Sequence, residues 1–441
     1  MDAVLLARIQ FGFTVGFHFI FPPITLALTL IILILETLHL KKGDREARRI
    51  SAFLVKILAL VFVLGTATGI VMEFAFGNNW AEYSKLVGDI FGPPLAAEGI
   101  FAFFLESVFL GVLLFGRQKV GRRTYWLSSF LVCLGAHLSG LWIIVANSWM
   151  QTPAGFRMEG GRAVLTDFWV AVFNPSTGVR YLHTILASWV AGSLLAAAIA
   201  AWLLLRGRDQ APARRLLRLG VLIFAVSTVV LLFNGHTHSV QVARTQPEKM
   251  AAFEALWQTR DHAPLSLFGI PDPGAQKTHL EVGVPGLLSF LIHGDAAAPV
   301  TGLNEFPPDE QPPVLLPFAS YHVMISLGML FILFGGWGMF LRWRDRLGEN
   351  KWFLRSTLVL APLAFLALEA GWIAAEVGRQ PWAVYRVLRT ADAVSRTVPA
   401  GQILATLLAF IGVYTLLFVL FVRIFGRIVN KGMAEPGAQG Y

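Results

Sequence analysis

RYLHTILASWVAGSLLAAAIAAWLLLRGR, residues 180–208, has a histidine near one end, two arginines at the other and no charged side chain from Thr184 to Leu205. At about 1.5 Å per residue this uncharged helix would be ~33 Å long, enough to cross a hydrocarbon core of about 30 Å. Lipid offers the backbone no hydrogen-bond partners, so such a stretch must be a helix that satisfies itself. Comparable stretches lie near 11–39, 51–76, 94–115, 125–146, 216–240, 318–341, 352–375 and 401–424. The expected fold is all-α, a polytopic transmembrane bundle of about nine spans. Composition agrees: 56% of the 441 residues are hydrophobic and 14% charged, where a soluble domain carries about 25% charged residues.

The loops alternate in character. One set is basic: Lys41 to Arg49, Arg117 to Arg123, Arg206 to Arg218, Arg342 to Arg355, and Arg423 to Lys431. It holds 22 of the 36 lysines and arginines. The positive-inside rule places this set in the cytoplasm. The N-terminus is then periplasmic and the C-terminus cytoplasmic, which needs an odd number of spans. The net charge of +9 is thus explained by the membrane, and nucleic acid is not an expected partner. Cys133 is the single cysteine, so an intrachain disulfide or a cysteine-based metal cluster is excluded. Met1–Gln10 has no basic n-region or small-residue cleavage site, so no cleaved signal is expected.

The chain divides into 1–240, spans one to six; 241–317, a Pro- and Gly-rich periplasmic loop; and 318–441, spans seven to nine with a cytoplasmic tail. No repeat of 20–50 residues is visible. Gly65 and Gly69 form a small-xxx-small pair suited to close helix approach.

An ionisable residue inside a span is costly and marks function by default. His18, Glu98, His183, Met324 and Glu376 lie at the outer ends of five different spans. His, Met and carboxylate are haem-iron ligands, and His with Met is an axial pair that raises the potential. Taken singly, each has a plain explanation: an interfacial histidine, a packing methionine. The shared depth is what suggests a cofactor. Glu98 and Glu106, eight residues apart, would stand about 12 Å apart along one helix and about 80° around it, as two stations of a proton path or as buried protonated carboxyls. Ser107 adds a hydroxyl beside Glu106, and Glu73 could join this cluster. Glu36, His39 and Lys56 lie near cytoplasmic ends, where snorkelling explains them.

Several segments carry a specific resemblance: RIQFGFTVGFHFIFPP (8–23), ATGIVMEFAFGNNW (67–80), VGDIFGPPLAAEGIFAFFLES (87–107), LWIIVANSWMQ (141–151), QPEKMAAFEALW (246–257), LFGIPD (267–272) and GRQPW (378–382). Along nearly its whole length the chain resembles subunit I of cytochrome bd quinol oxidases. That resemblance implies His183 and Met324 as axial ligands of a low-spin haem b. It implies His18 and Glu376 as ligands within a pair formed by a high-spin haem b and a haem d, or a third haem b, and leaves open which serves which. Glu98 would stand beside that pair, and Glu106 with Ser107 on a cytoplasmic proton entry. Arg379, three residues after Glu376, is expected to hold a haem propionate or the ligand carboxylate. The 241–317 loop would bind quinol, with Lys249 and Glu254 implicated.

Lys249 and Glu254 are five apart, so about 140° around a helix, and do not pair with each other. Thr245–Glu248 reads as a capping box with proline in the first turn. Met250, Phe253, Leu256 and Trp257 follow as an apolar stripe. His322 stands where the family often has Arg and could compete as a ligand. His236 and His238 are expected to line the quinol site.

The implied activity is oxidation of quinol at the periplasmic face and reduction of O₂ to water with cytoplasmic protons, building a gradient without a pump. A smaller subunit II is the implied partner, and a single-helix accessory subunit is allowed. The implied location is the bacterial inner membrane. A haem-copper oxidase or a bc-type cytochrome b would need several histidines on shared helices, which this chain lacks. A proton-coupled secondary transporter using the intramembrane carboxylates is the alternative from another class, and it predicts no haem.

Overall fold

The computed structural model describes residues 2–433. The C-terminal tail expected past the last span lies, from residue 434, outside them. The described residues contain nine helical segments long and apolar enough to cross a membrane. In chain order the helices are α1 (Ala3–Phe19), α2 (Phe21–Lys42), α3 (Arg45–Asn78), α4 (Ala81–Ala97), α5 (Phe104–Phe115), α6 (Arg122–Gln151), α7 (Phe168–Val172), α8 (Thr177–Leu205), α9 (Gln210–Thr245), α10 (Pro247–Phe253), α11 (Leu287–His293), α12 (Leu315–Trp343), α13 (Lys351–Val377), α14 (Thr390–Ala393) and α15 (Ala400–Lys431). Three antiparallel hairpins lie in the connections: β1–β2 (Phe156–Glu159, Arg162–Leu165), β3–β4 (Leu265–Asp272, Lys277–Val284) and β5–β6 (Trp382–Val384, Leu388–Arg389).

The first span is longer than its hydropathy suggests and is built from two pieces, α1 and α2, meeting at Ile20. Pro22 has no N–H for the carbonyl of His18, four residues back, and its ring crowds that carbonyl. The joint therefore falls beside a candidate ligand. The third span is likewise compound. Pro93 and Pro94 sit inside α4, and a π-helical turn, Glu98–Phe103, joins it to α5. Such turns recur at functional sites. The π turn also changes the phase between Glu98 and Glu106, so the angle expected from a uniform α-helix does not apply.

Helix α8 is the hub, packed on α9, α2 and α13. It can be, because its buried face is rich in small residues, among them Ser188, Ala191, Gly192, Ser193, Ala197 and Ala200. A Cβ on Gly192 would collide with Ala27 Cβ, and one on Gly220 of α9 would stand 2.9 Å from the Ser193 carbonyl. Without a hydrophobic drive between helices in lipid, such close approach supplies the packing energy. Gly65 and Gly69 behave as expected: added Cβ atoms would meet Phe21 Cβ at 3.4 Å and His18 Cε1 at 3.2 Å.

At the basic end, Glu36 does not snorkel. It is 3% exposed, accepts from Arg117 over 3.1 Å and from the Ser51 hydroxyl, and ties α2 to α3 and the α5–α6 corner. His39 is also buried and hydrogen-bonds the Asp44 carbonyl over 3.0 Å. Lys56 is exposed, in keeping with a side chain that reaches outward.

Between α9 and α12 the chain packs on its own small core, which includes Met250, Phe253, Leu256, Leu288, Phe318 and Tyr321. Phe253 stacks on Tyr321 with ring centroids 4.6 Å apart. The loop is thereby fixed to the top of α12. The expected capping box does not form: the Thr245 hydroxyl donates back to the Gln241 carbonyl, and Gln246 caps α10 without a side-chain bond. Pro247 does open the helix. Leu256 and Trp257 lie beyond the end of α10, so the apolar residues 250–257 are not one helical stripe.

Candidate functional site

His18 and His183 are each held by a neighbouring helix in a way that fixes the tautomer. The Asn234 amide nitrogen donates to the Val179 carbonyl (3.3 Å), so its Oδ1 faces His183 Nδ1 (3.0 Å). Oδ1 can only accept, so Nδ1 carries the proton and Nε2 keeps its lone pair. The same logic holds at His18. The Thr68 hydroxyl gives its hydrogen to the Leu64 carbonyl (2.8 Å) and stands 2.9 Å from His18 Nδ1, so it accepts from that nitrogen. Such outer partners are how metal-binding histidines are oriented.

Met324, on α12, lies against a glycine. A Cβ on Gly371 of α13 would meet its sulfur at 2.7 Å. His322 is otherwise engaged: its nitrogens stand 2.8 Å from the Phe318 and Ser266 carbonyls, so neither is turned to a metal. His236 is exposed, whereas His238 turns inward and sets its ring edge-to-face on His183, centroids 5.2 Å apart.

Glu376 is the centre of a buried polar cluster. Its Oε2 pairs with Arg379 at 2.7 Å, and its Oε1 accepts from Asn147 (3.0 Å) and Gln151 (3.3 Å). Helix α13 ends at Val377, so Arg379 reaches back from beyond the helix and does not share its face. Several buried polar nitrogens in this region have no protein partner among the described residues, Arg180 Nε, Arg379 Nη1 and His238 Nε2 among them. Buried polar atoms are rarely left unpaired, and one that is calls for an explanation such as a bound group.

Glu98 accepts from Ser139 of α6 over 2.7 Å. Gly135, one turn from Ser139, lets α6 touch the π turn; a Cβ there would stand 3.1 Å from the Ala102 carbonyl and the Glu106 amide. Glu106 is 6% exposed, and its Oε1 has no partner among the described residues. Ser107 bonds the Phe104 carbonyl of its own helix and not Glu106. Glu73 is exposed, and it lies near enough to Glu98 for the two carboxylates to interact, as a member of the same cluster would.

Lys249 and Glu254 are not a solvated surface pair: they are 2% and 4% exposed. Lys249 Nζ donates to Gln151 Oε1 (2.8 Å) and Gln246 Oε1 (3.2 Å). Burial above all, with Arg180 nearby, pushes its pKa well below the usual lysine value. Glu254 accepts the Ser266 N–H through Oε2 (3.0 Å), and its Oε1 is unpartnered among the described residues. Burial pushes its carboxyl up to about 8. Two buried ionisable groups on one short segment with opposed shifts suit proton exchange with a bound molecule. The loop thus sets Lys249 within two hydrogen bonds of Glu376, while Glu106 stands apart near α6.

Several of these residues escaped sequence reasoning. Asn147 and Gln151 carry carboxamides four apart on an apolar helix, and Arg180 opens a span three residues before His183. Glu369 is a carboxylate within a span, two turns before Glu376; a Cβ on Gly16 would stand 3.5 Å from its Oε2. Intramembrane polarity was the available signal for all four.

The model of the cytochrome bd terminal oxidase subunit I family matches residues 6–433. The chain is similar to cytochrome bd ubiquinol oxidase subunit 1 of Bacillus subtilis (strain 168), 35% identical over 98% of this chain and 94% of that one. It is 33% identical to cytochrome bd-II ubiquinol oxidase subunit 1 of Escherichia coli (strain K12), over 98% and 97% of the two chains. Among solved structures, the bd oxidase from Geobacillus thermodenitrificans superposes with a TM-score of 0.90 at 30% identity, covering 98% of this chain and 99% of that one. The match spans every helix that positions the cluster described above, and on it the chain belongs to the cytochrome bd terminal oxidase subunit I family.

Proposed function

We propose that this chain is the haem-bearing quinol oxidase subunit of an aerobic respiratory chain, working in the bacterial inner membrane. The observation that carries this reading is the pair of histidines, His18 and His183, whose Nδ1 protons are each spent on a neighbouring helix at the loop end of the bundle. Each keeps Nε2 for a metal. The residues also fit the rest of a haem. Gly371 leaves room at the Met324 thioether, and the unpartnered donors of Arg180 and Arg379 suit the carboxylates that a haem carries. His183 and Met324 would hold a low-spin haem b. His18 and Glu376 would hold a high-spin haem b and a haem d or third haem b. When bound, these groups supply electron transfer from quinol and the reduction of O₂ to water.

The residues do the rest. The segment 241–317, between spans one to six in 1–240 and spans seven to nine with the cytoplasmic tail in 318–441, binds quinol at the periplasmic face. Lys249 orients a quinol oxygen through a donor left over from Gln151 and Gln246, and ionised Glu254 takes a quinol proton at Oε1. Glu106 holds protons entering from the cytoplasm and passes them toward Glu98, which Ser139 positions. Ser107 stays on the entry path as a helix-bonded hydroxyl. Arg379 fixes the Glu376 carboxylate. Taking electrons and protons from opposite sides separates charge without a pump. The basic loops support an N-terminus outside and a C-terminus inside. A smaller subunit II, with or without a single-helix accessory subunit, completes the enzyme.

A reduced-minus-oxidised spectrum of the purified complex, with and without CO, tests this. Three haems are expected, one of them low-spin and unreactive to CO. A colourless complex would sink the reading.

A pH dependence follows from Glu254. Its folded pKa of about 8 exceeds the ordinary 4.5, so the folded loop binds a proton that the unfolded chain has lost. Stability of the loop falls as pH rises through that window and levels off above it. Quinol oxidation should rise over the approach to pH 8, as the ionised base is populated. In Glu254→Gln both slopes vanish and turnover drops by ~10²–10⁴, the usual worth of a positioned base. Initial rates and hydrogen exchange of residues 246–314 across pH would check this; an unchanged pH profile in the variant removes Glu254 as the base.

A further inference from the structure

Asn147 and Gln151 lie four residues apart and so on one face of α6. Each stands between Glu376 and a buried cation. Arg180 Nη2 donates to Asn147 Oδ1, and Asn147 Nδ2 donates to Glu376 Oε1 over 3.0 Å. Lys249 Nζ donates to Gln151 Oε1 over 2.8 Å, and Gln151 Nε2 donates to Glu376 Oε1 over 3.3 Å. An ammonium only donates and a carboxylate only accepts, so the neighbours fix which end of each amide faces which. Gln151 is 1% exposed and Lys249 2%, so bulk water does not replace these bonds. Lys249 sits on the loop and Glu376 on α13; Gln151 is one side chain bonded to both.

We infer that Gln151 is a positioning residue that couples the quinol loop to the metal-binding carboxylate of Glu376. Hydrogen bonds in series polarise one another at low dielectric. A quinol oxygen that engages Lys249 draws its ammonium away from Gln151 Oε1. The Gln151 N–H then donates less strongly to Glu376, and the carboxylate becomes a stronger electron donor to its iron. Occupancy of the quinol pocket is thereby read at the oxygen-reducing site. The Asn147 branch ends on Arg180 of α8 and carries no such signal from the loop. This inference rests on the oxidase reading of the two sites.

A double-mutant cycle tests it, since non-additivity is the measure of coupling. Lys249→Met, Gln151→Met and the double variant are made in the full complex. The readouts are the midpoint potential and absorption of the high-spin haems, without quinol and without O₂. Lys249→Met should displace both in the Gln151 background, and lose more than half of that displacement when Gln151 is Met. Gln151→Asn, one methylene too short to span both partners, should behave like Gln151→Met and serves where the latter fails to assemble. Additive displacements overturn the coupling. So does a Lys249→Met complex that binds quinol more weakly while its haem potential stays put. An unmutated complex with no high-spin haem would instead refute the oxidase reading itself.

Discussion

Met324→Leu is expected to abolish the low-spin haem signal or lower its potential sharply. Leucine keeps the volume, so packing on α12 survives, but it offers iron no lone pair. His–Met ligation holds a haem at higher potential than ligation without the thioether. Turnover should fall by more than the ~10–100-fold that loss of even an outer partner costs a metal site. A second variant reaches the same sulfur from outside. A Cβ on Gly371 would stand 2.7 Å from Met324 Sδ, closer than atoms tolerate. Gly371→Val should therefore push the thioether aside and reproduce the spectral loss with Met324 still present. Visible spectra and redox titration of the two complexes check both. An unchanged low-spin band and potential in Met324→Leu removes it from the ligand set.

The spans were legible because a bilayer imposes one rule on every helix, and apolar length meets it in plain view. Their breaks were less so. Pro22–Pro23 and Pro93–Pro94 announce a disturbance, yet whether proline yields a joint or a π turn depends on what neighbours supply to the freed carbonyls. The ligand histidines were visible as polar residues at one depth. Their orientation was not, because Thr68 and Asn234 act across helices from positions 50 and 51 residues away. Glu36 shows the opposite failure. Its place at a cytoplasmic end suggested snorkelling, but Arg117 comes from a loop and folds inward to meet it. Lys249 and Glu254 could have been surface residues by sequence. Only the packing of α10 under Tyr321 and against Gln151 buries them.

Glu376→Ala should cost the complex both a haem and stability, and the two losses can be separated. The carboxylate is enclosed by Arg379 directly and by Arg180 and Lys249 through the α6 amides. Removing it leaves buried cations facing a cavity. Breaking a buried pair from one side typically costs ~3–5 kcal/mol, because the surviving charge keeps its desolvation penalty and loses its partner. Removing Arg379 as well is milder, since the cation paired directly with the carboxylate goes with it and only Arg180 and Lys249, one amide further off, are left. Glu376→Ala combined with Arg379→Met should therefore regain much of the thermal stability of the complex while the haem at this position stays absent. Glu376→Gln should fall between, keeping volume and an acceptor but no charge. Thermal unfolding followed beside haem content resolves the two effects. If Glu376→Ala retains its full haem complement, the residue is a structural anchor for Arg379 and not a ligand. If the double variant is as unstable as the single one, the cost lies in the cavity and not in the stranded charge.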